Sequence, residues 1–205
     1  MIEETEYHIA KNRLETLIDG IFAIAMTLLV LGIAAPKPTA SQAPELLPRE
    51  IFHLFPQFFI FVIAFLVLAI FWLIHHRQFH FIRIVDPRLL WINVFLLIFI
   101  VLIPFSTDMA GDYPEVPIAV LFFHVNILIV GLIFAVHWRH ICRSEHLCNA
   151  PPDDSVIRAR FIDTTLIPIV AVVAILISMV SSPASLLVYL VIPVIILLLN
   201  PKSLF

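Results

Sequence analysis

Residues 13–35 read RLETLIDGIFAIAMTLLVLGIAA, an apolar run with Asp19, Gly20 and Gly32 set inside it. About 22 residues at 1.5 Å each give roughly 33 Å, enough to cross the hydrocarbon core of a bilayer with a small tilt. An ionisable group inside such a run is costly, and where one is kept it usually has a task. On a 3.6-residue period Arg13, Leu17, Gly20, Ile24, Leu28 and Leu31 fall in one stripe, with Thr27 at its edge. Asp19 points nearly to the opposite side, where a buried carboxylate would meet neighbouring helices. Two readings stay open from spacing alone: a pore-lining helix, or a bundle helix whose small residues allow close packing and whose acid is satisfied locally.

Composition sets the class. Of 205 residues 61% are hydrophobic and only 13% charged, with a mean hydropathy of +1.06. That excludes an ordinary soluble domain. The net charge of -3 and the lack of a basic run interleaved with aromatics exclude a nucleic-acid partner. The leader carries Glu3, Glu4 and Glu6 against Lys11 and Arg13, and the apolar core is too long for a signal peptide, so the first span is expected to be retained. Cys142 and Cys148 read as free cytosolic thiols rather than as a disulfide or a metal site.

The pattern predicts an all-α integral membrane protein, one domain over residues 1–205, with six transmembrane helices at about 14–35, 51–76, 89–105, 118–141, 161–180 and 184–199. The Pro-rich segment after the first span reads as a loop, 108–117 as an acidic turn, and 143–160 as a polar connector in which Pro151-Pro152 stops any helix. Ten of the twelve Lys and Arg fall on one side of this arrangement, and only Lys37 and Arg49 on the other. By the positive-inside rule the chain is a multi-pass cell-membrane protein with both termini cytoplasmic. The outer loops then hold Glu45, Glu50, Asp108, Asp112 and Glu115 against two cations, a face that would enrich cations.

R-x-x-x-L-I-D-G (13–20) running into IFAIAMTLLVL, with FWLIHHRQF (71–79), LLWINVF (89–95) and PFSTDMAGDYP (104–114), resembles the transmembrane protein 175 family of prokaryotic and endolysosomal potassium channels. The family usually has Phe-Ser where this chain has Leu17 and Ile18. The resemblance implies a homotetramer of six-span subunits, four first helices around a central cation pore, and potassium selectivity without a reentrant carbonyl filter. No TVGYG-like loop occurs here, and there are only four glycines with which to build one. In such a pore Ile24, Leu28 and Leu31 form an apolar constriction flanked by Thr27 hydroxyls, which favours potassium modestly over sodium because potassium sheds water more cheaply. Without the resemblance, ordinary core packing is the default for those three aliphatics.

A buried Asp19 needs polar partners. Trp72, His75 and His76 at the end of the second span and Asn93 in the third lie near the same depth; the resemblance implies a network of this kind, with Gly20 and Arg13 beside it. Arg13 lies about 120° from Asp19 around the helix, so it is expected to face a neighbouring subunit or the pore mouth. Two other function classes compete. A proton-coupled carrier would use Asp19 and His75 as a relay. A membrane metalloenzyme would use His75, His76, His80, His137 and His140, but such enzymes need about eight histidines plus carboxylates at one cofactor. The expectation is therefore no enzyme, no metal and no cofactor, with potassium as the permeant ion and the lipid bilayer and further copies of the chain as partners.

Overall fold

The computed structural model describes residues 10–148 and 153–199. The polar leader 1–9, the Pro151-Pro152 stop and Lys202 lie outside the described residues. The described secondary structure is helical apart from one isolated bridge, Ile82 with Cys148. The helices are α1 (Lys11–Leu28, continued by a 3₁₀ turn Leu29–Gly32), α2 (Ala43–His53), α3 (Phe55–Phe79), α4 (Pro87–Asp112), α5 (Pro117–Arg143), α6 (Asp154–Ser178), α7 (Ser182–Leu186, continued by a 3₁₀ turn Leu187–Leu190) and α8 (Val191–Leu199).

Among the described residues four stretches are long and apolar enough to cross a membrane: Lys11–Gly32, Phe55–Phe79, Pro87–Asp112 and Pro117–Arg143. Two further apolar helices, Thr164–Ser178 and Ser182–Ile195, are shorter. The protein is thus an all-helical membrane protein. The boundaries differ from the sequence expectation in several places, among them α6, which begins at Asp154 inside the expected polar connector rather than near Phe161. The Pro-rich loop holds α2, because Pro44 sits in its first turn, where a missing N–H costs nothing. Ile51 accordingly belongs to α2, and the second span begins at Phe55. Asp108 lies inside α4 rather than in a turn, the helix running on to Asp112 before Pro114 and Pro117 set the true corner. The stretch 184–199 lies in a helical run from Ser182 to Leu199 that tightens to 3₁₀ over Leu187–Leu190.

The start of α4 is fixed locally. Asp86 is its N-cap and accepts from the Leu89 amide at 2.6 Å, with Pro87 pre-set for the first turn. The same carboxylate lies 3.1 Å from His140 Nε2 near the end of α5, so the cap also joins two helices. Beside it, the Arg83 amide donates to the Leu147 carbonyl at 2.6 Å, which ties the α3–α4 connector to the one after α5. Cys148 sits there as a free, buried thiol, and burial pushes its pKa up.

The core is made by α4 and α5, with α1 and α3 on one side and α6 to α8 on the other. Phe71 and Phe134 stack at 5.3 Å in its centre, and Ile100, Val130 and Ala171 are fully buried. Pro168 breaks the α6 ladder but also packs tightly against α5: a Cβ added at Gly131 would lie 2.7 Å from the proline ring. In α4 the Ile103 carbonyl, just ahead of Pro104, accepts hydroxyls from Ser106 (2.9 Å) and Thr107 (2.8 Å). These bonds satisfy the two buried hydroxyls within their own helix, whereas the backbone bond that Pro104 cannot make is the one to the Ile100 carbonyl.

Candidate functional site

Helix α1 is divided lengthwise. Leu14, Ile18, Phe22, Ala25 and Leu29 are buried against α3 and α4. The expected stripe lies on the other side: Arg13, Leu17, Gly20, Ile24, Thr27, Leu28 and Leu31 are all exposed in the single subunit, Ile24 at 55%, Leu28 at 39% and Leu31 at 74%. Leu31 falls in the 3₁₀ turn, so its direction no longer follows the α-helical period that placed it in the stripe. Gly20 marks this face differently from the other glycines. A Cβ at Gly32, Gly111 or Gly131 would meet a neighbour within 3 Å, whereas at Gly20 it would meet nothing within 4 Å. The Thr27 hydroxyl donates to the Ile24 carbonyl at 2.8 Å, so its proton is engaged and its oxygen is left as an acceptor.

Asp19 is not the buried carboxylate that the sequence suggests. It is exposed, because the buried sector of α1 centres on Ile18, Phe22 and Ala25, and Asp19 sits about 140° from Ile24 on the other flank. Among the described residues one side chain hydrogen-bonds it: Trp72 Nε1 donates to Asp19 Oδ1 at 2.8 Å. Trp72 in turn stacks on His76, centroids 5.9 Å apart, and His76 Nδ1 lies 4.0 Å from Glu15. Deeper, His75 Nε2 donates to Asn93 Oδ1 at 3.0 Å while Asn93 Nδ2 donates to the Leu89 carbonyl at 2.8 Å. The expected single network is therefore two: a peripheral one that ties α1 to α3, and a buried one that ties α3 to α4. No hydrogen bond joins Asp19 to His75, whose ring packs on Phe22 and Phe79. Among the described residues Arg13 has no hydrogen bond or ion pair within the subunit.

Two polar clusters escaped the sequence reading. His137 Nδ1 donates to Gln78 Oε1 between α5 and α3. His124 is fully buried between Tyr189 (3.0 Å) and Ser185 (2.7 Å). The Ser185 hydroxyl is spent on the Ser182 carbonyl at 2.6 Å, so its oxygen accepts from Nε2–H while Nδ1 pairs with the tyrosine hydroxyl. Nothing local in the sequence pairs positions more than sixty residues apart. Among the described residues no three His, Cys, Asp or Glu side chains come together as a metal-holding group.

The exposed face of α1 falls within residues 13–104, which match the family model described as endosomal/lysosomal potassium channel TMEM175. A potassium channel of Streptomyces collinus is 31% identical over 152 residues, 72% of each chain. One of Chamaesiphon minutus is 28% identical over 145 residues, 69% of this chain and 71% of that one. The fold matches the crystal structure of a lysosomal potassium-selective channel TMEM175 homolog from Chamaesiphon minutus with a TM-score of 0.78 and 26% identity, covering 92% of this chain and 96% of the other. The likeness in sequence to the Streptomyces collinus relative covers 72% of the chain and the likeness in fold 92%, and the chain belongs to the TMEM175 channel family.

Proposed function

We propose that the chain is one subunit of a homotetrameric cation channel that conducts potassium passively and favours it modestly over sodium. The observation that carries this reading is the exposed face of α1, where an apolar stripe is joined to Gly20, Thr27 and Arg13. Four such faces around an axis enclose a path whose neck is formed by Ile24, Leu28 and Leu31. An ion crosses this neck by shedding water, which costs potassium less than sodium, and the Thr27 oxygens offer partial compensation. Arg13 sits at the cytoplasmic mouth, and the Asp19–Trp72 bond anchors the pore helix to α3. The six-span subunit forms one domain over residues 1–205, resides in the cell membrane with both termini cytoplasmic, and needs no cofactor.

The test is a bi-ionic reversal potential with purified protein in a planar bilayer. Each tenfold of permeability ratio moves it by about 59 mV, so even modest selectivity displaces it toward the potassium equilibrium potential. No displacement on exchanging sodium for potassium would remove the selectivity. A potential that follows the proton gradient instead would favour the carrier that uses Asp19 and His75.

Assembly and orientation give a second expectation. One stripe cannot enclose a pore, so mild detergent should yield tetramers, and tags at both termini should resist external protease in intact cells. Active monomers would sink the pore model, and cleavage of either tag from outside would reverse the topology.

A further inference from the structure

At the end of the bundle that carries most of the basic residues, an open cleft of about 720 Å³ lies between the start of α4 and the end of α5. Its rim holds Arg88, Arg139 and Arg143, all exposed, with Trp91 beside them. Among the described side chains none of these three guanidinium groups has a hydrogen bond or an ion pair, and the Asp86 carboxylate next to Pro87 is engaged by His140 and the Leu89 amide. Three guanidinium groups gathered at one cleft attract an anion.

The floor of the cleft is apolar and does not end there. Ile92, Phe95 and Val136 also line a second groove of about 380 Å³, continued by Phe99 and Leu132, which presents no polar surface. From Arg88 to Phe99 the combined groove runs about 16 Å along α4, close to half of a ~30 Å hydrocarbon core. A basic mouth at the interface, an exposed tryptophan at headgroup level and an apolar trough one leaflet deep are together the complement of one molecule type. We infer that this cleft binds an anionic phospholipid of the inner leaflet, its phosphate among Arg88, Arg139 and Arg143 and one acyl chain along the α4–α5 groove. The trough decides for a lipid over free phosphate, which would have no use for it.

The full-length protein in mild detergent, offered equal amounts of phosphatidylglycerol and phosphatidylcholine with identical acyl chains, should retain phosphatidylglycerol preferentially in native mass spectrometry. At roughly fivefold per basic residue near the interface, replacing all three with Arg88→Gln, Arg139→Gln and Arg143→Gln should weaken that retention on the order of 100-fold. Arg143→Gln alone should weaken it about fivefold, which keeps the test open if the triple variant expresses poorly. Val136→Trp fills the trough, leaves the arginines intact and should lower retention as well. Equal retention of both lipids by the wild type, or unchanged retention by the triple variant, overturns the proposal. Competition by millimolar inorganic phosphate together with full retention in Val136→Trp would reassign the cleft to a free anion. A changed subunit stoichiometry with lipid retention unaltered would mean that a neighbouring subunit covers it.

Discussion

Ile24→Asn channels should pass several-fold more current than the wild type and lose most of their preference for potassium over sodium. A ring of amides at the narrowest point offers hydrogen bonds where the aliphatic side chains offer none, so water enters and a hydrated ion crosses without stripping. Removing the dehydration step raises the rate and removes the basis of discrimination together. The subunit itself should tolerate the change, because Ile24 is 55% exposed and an exposed substitution of this kind costs within about 0.5 kcal/mol. Ala25, about 100° around the helix, is fully buried against the core. An asparagine there both overfills the α1 packing and buries an unpaired amide, at a cost of about 2–4 kcal/mol, so Ala25→Asn should depress expression or assembly instead. Single-channel recording of Ile24→Asn beside expression levels of both variants checks the contrast. Unaltered conductance and selectivity in well-expressed Ile24→Asn would place the pore on another face, and the roles of Leu28 and Leu31 would fall with it.

The division of α1 into two faces was readable from spacing because its exposed and buried residues follow one period from Arg13 to Leu28. The long spans were readable for a simpler reason: uninterrupted apolar runs have no other place to go. Trp72, His75 and Asn93 could be nominated from depth alone, since partners in a bundle must lie at the same height, but depth does not say who bonds to whom. Trp72 reaches Asp19 while His75 and Asn93 satisfy each other, because α1 meets α3 at its rim and α4 meets α3 in the core. The run from Ser182 to Leu199 was legible as an apolar helical segment, but its contact with His124 was not. Its 3₁₀ turn carries Tyr189 to a histidine on α5, and no local pattern encodes a partner that far along the chain. Among the prolines Pro44 misled, since it opens a helix where a loop was expected, while Pro104 and Pro168 sit inside helices as their place in the expected spans implied.

The glycines offer the second large effect, and it separates folding from conduction. At Gly131 any side chain collides with Pro168: a Cβ would lie 2.7 Å from its Cγ and 3.2 Å from its backbone nitrogen. A proline ring has no rotamer with which to retreat and its nitrogen belongs to α6, so the two helices would have to part along their whole contact. Overpacking costs about 1–3 kcal/mol for added methylenes and more where backbone must move, against about 1 kcal/mol gained in helix propensity on leaving glycine. Gly131→Leu should therefore abolish monodisperse protein. Gly20→Leu adds the same atoms with the same propensity gain to open space. The subunit should fold at least as well as the wild type, and four leucines added beside the path should cut conductance severely without lowering expression. Size-exclusion profiles and single-channel currents of the two variants test both halves. A normally folded Gly131→Leu would mean that α5 and α6 do not meet at Pro168, and a fully conducting Gly20→Leu would place Gly20 against lipid rather than at the pore.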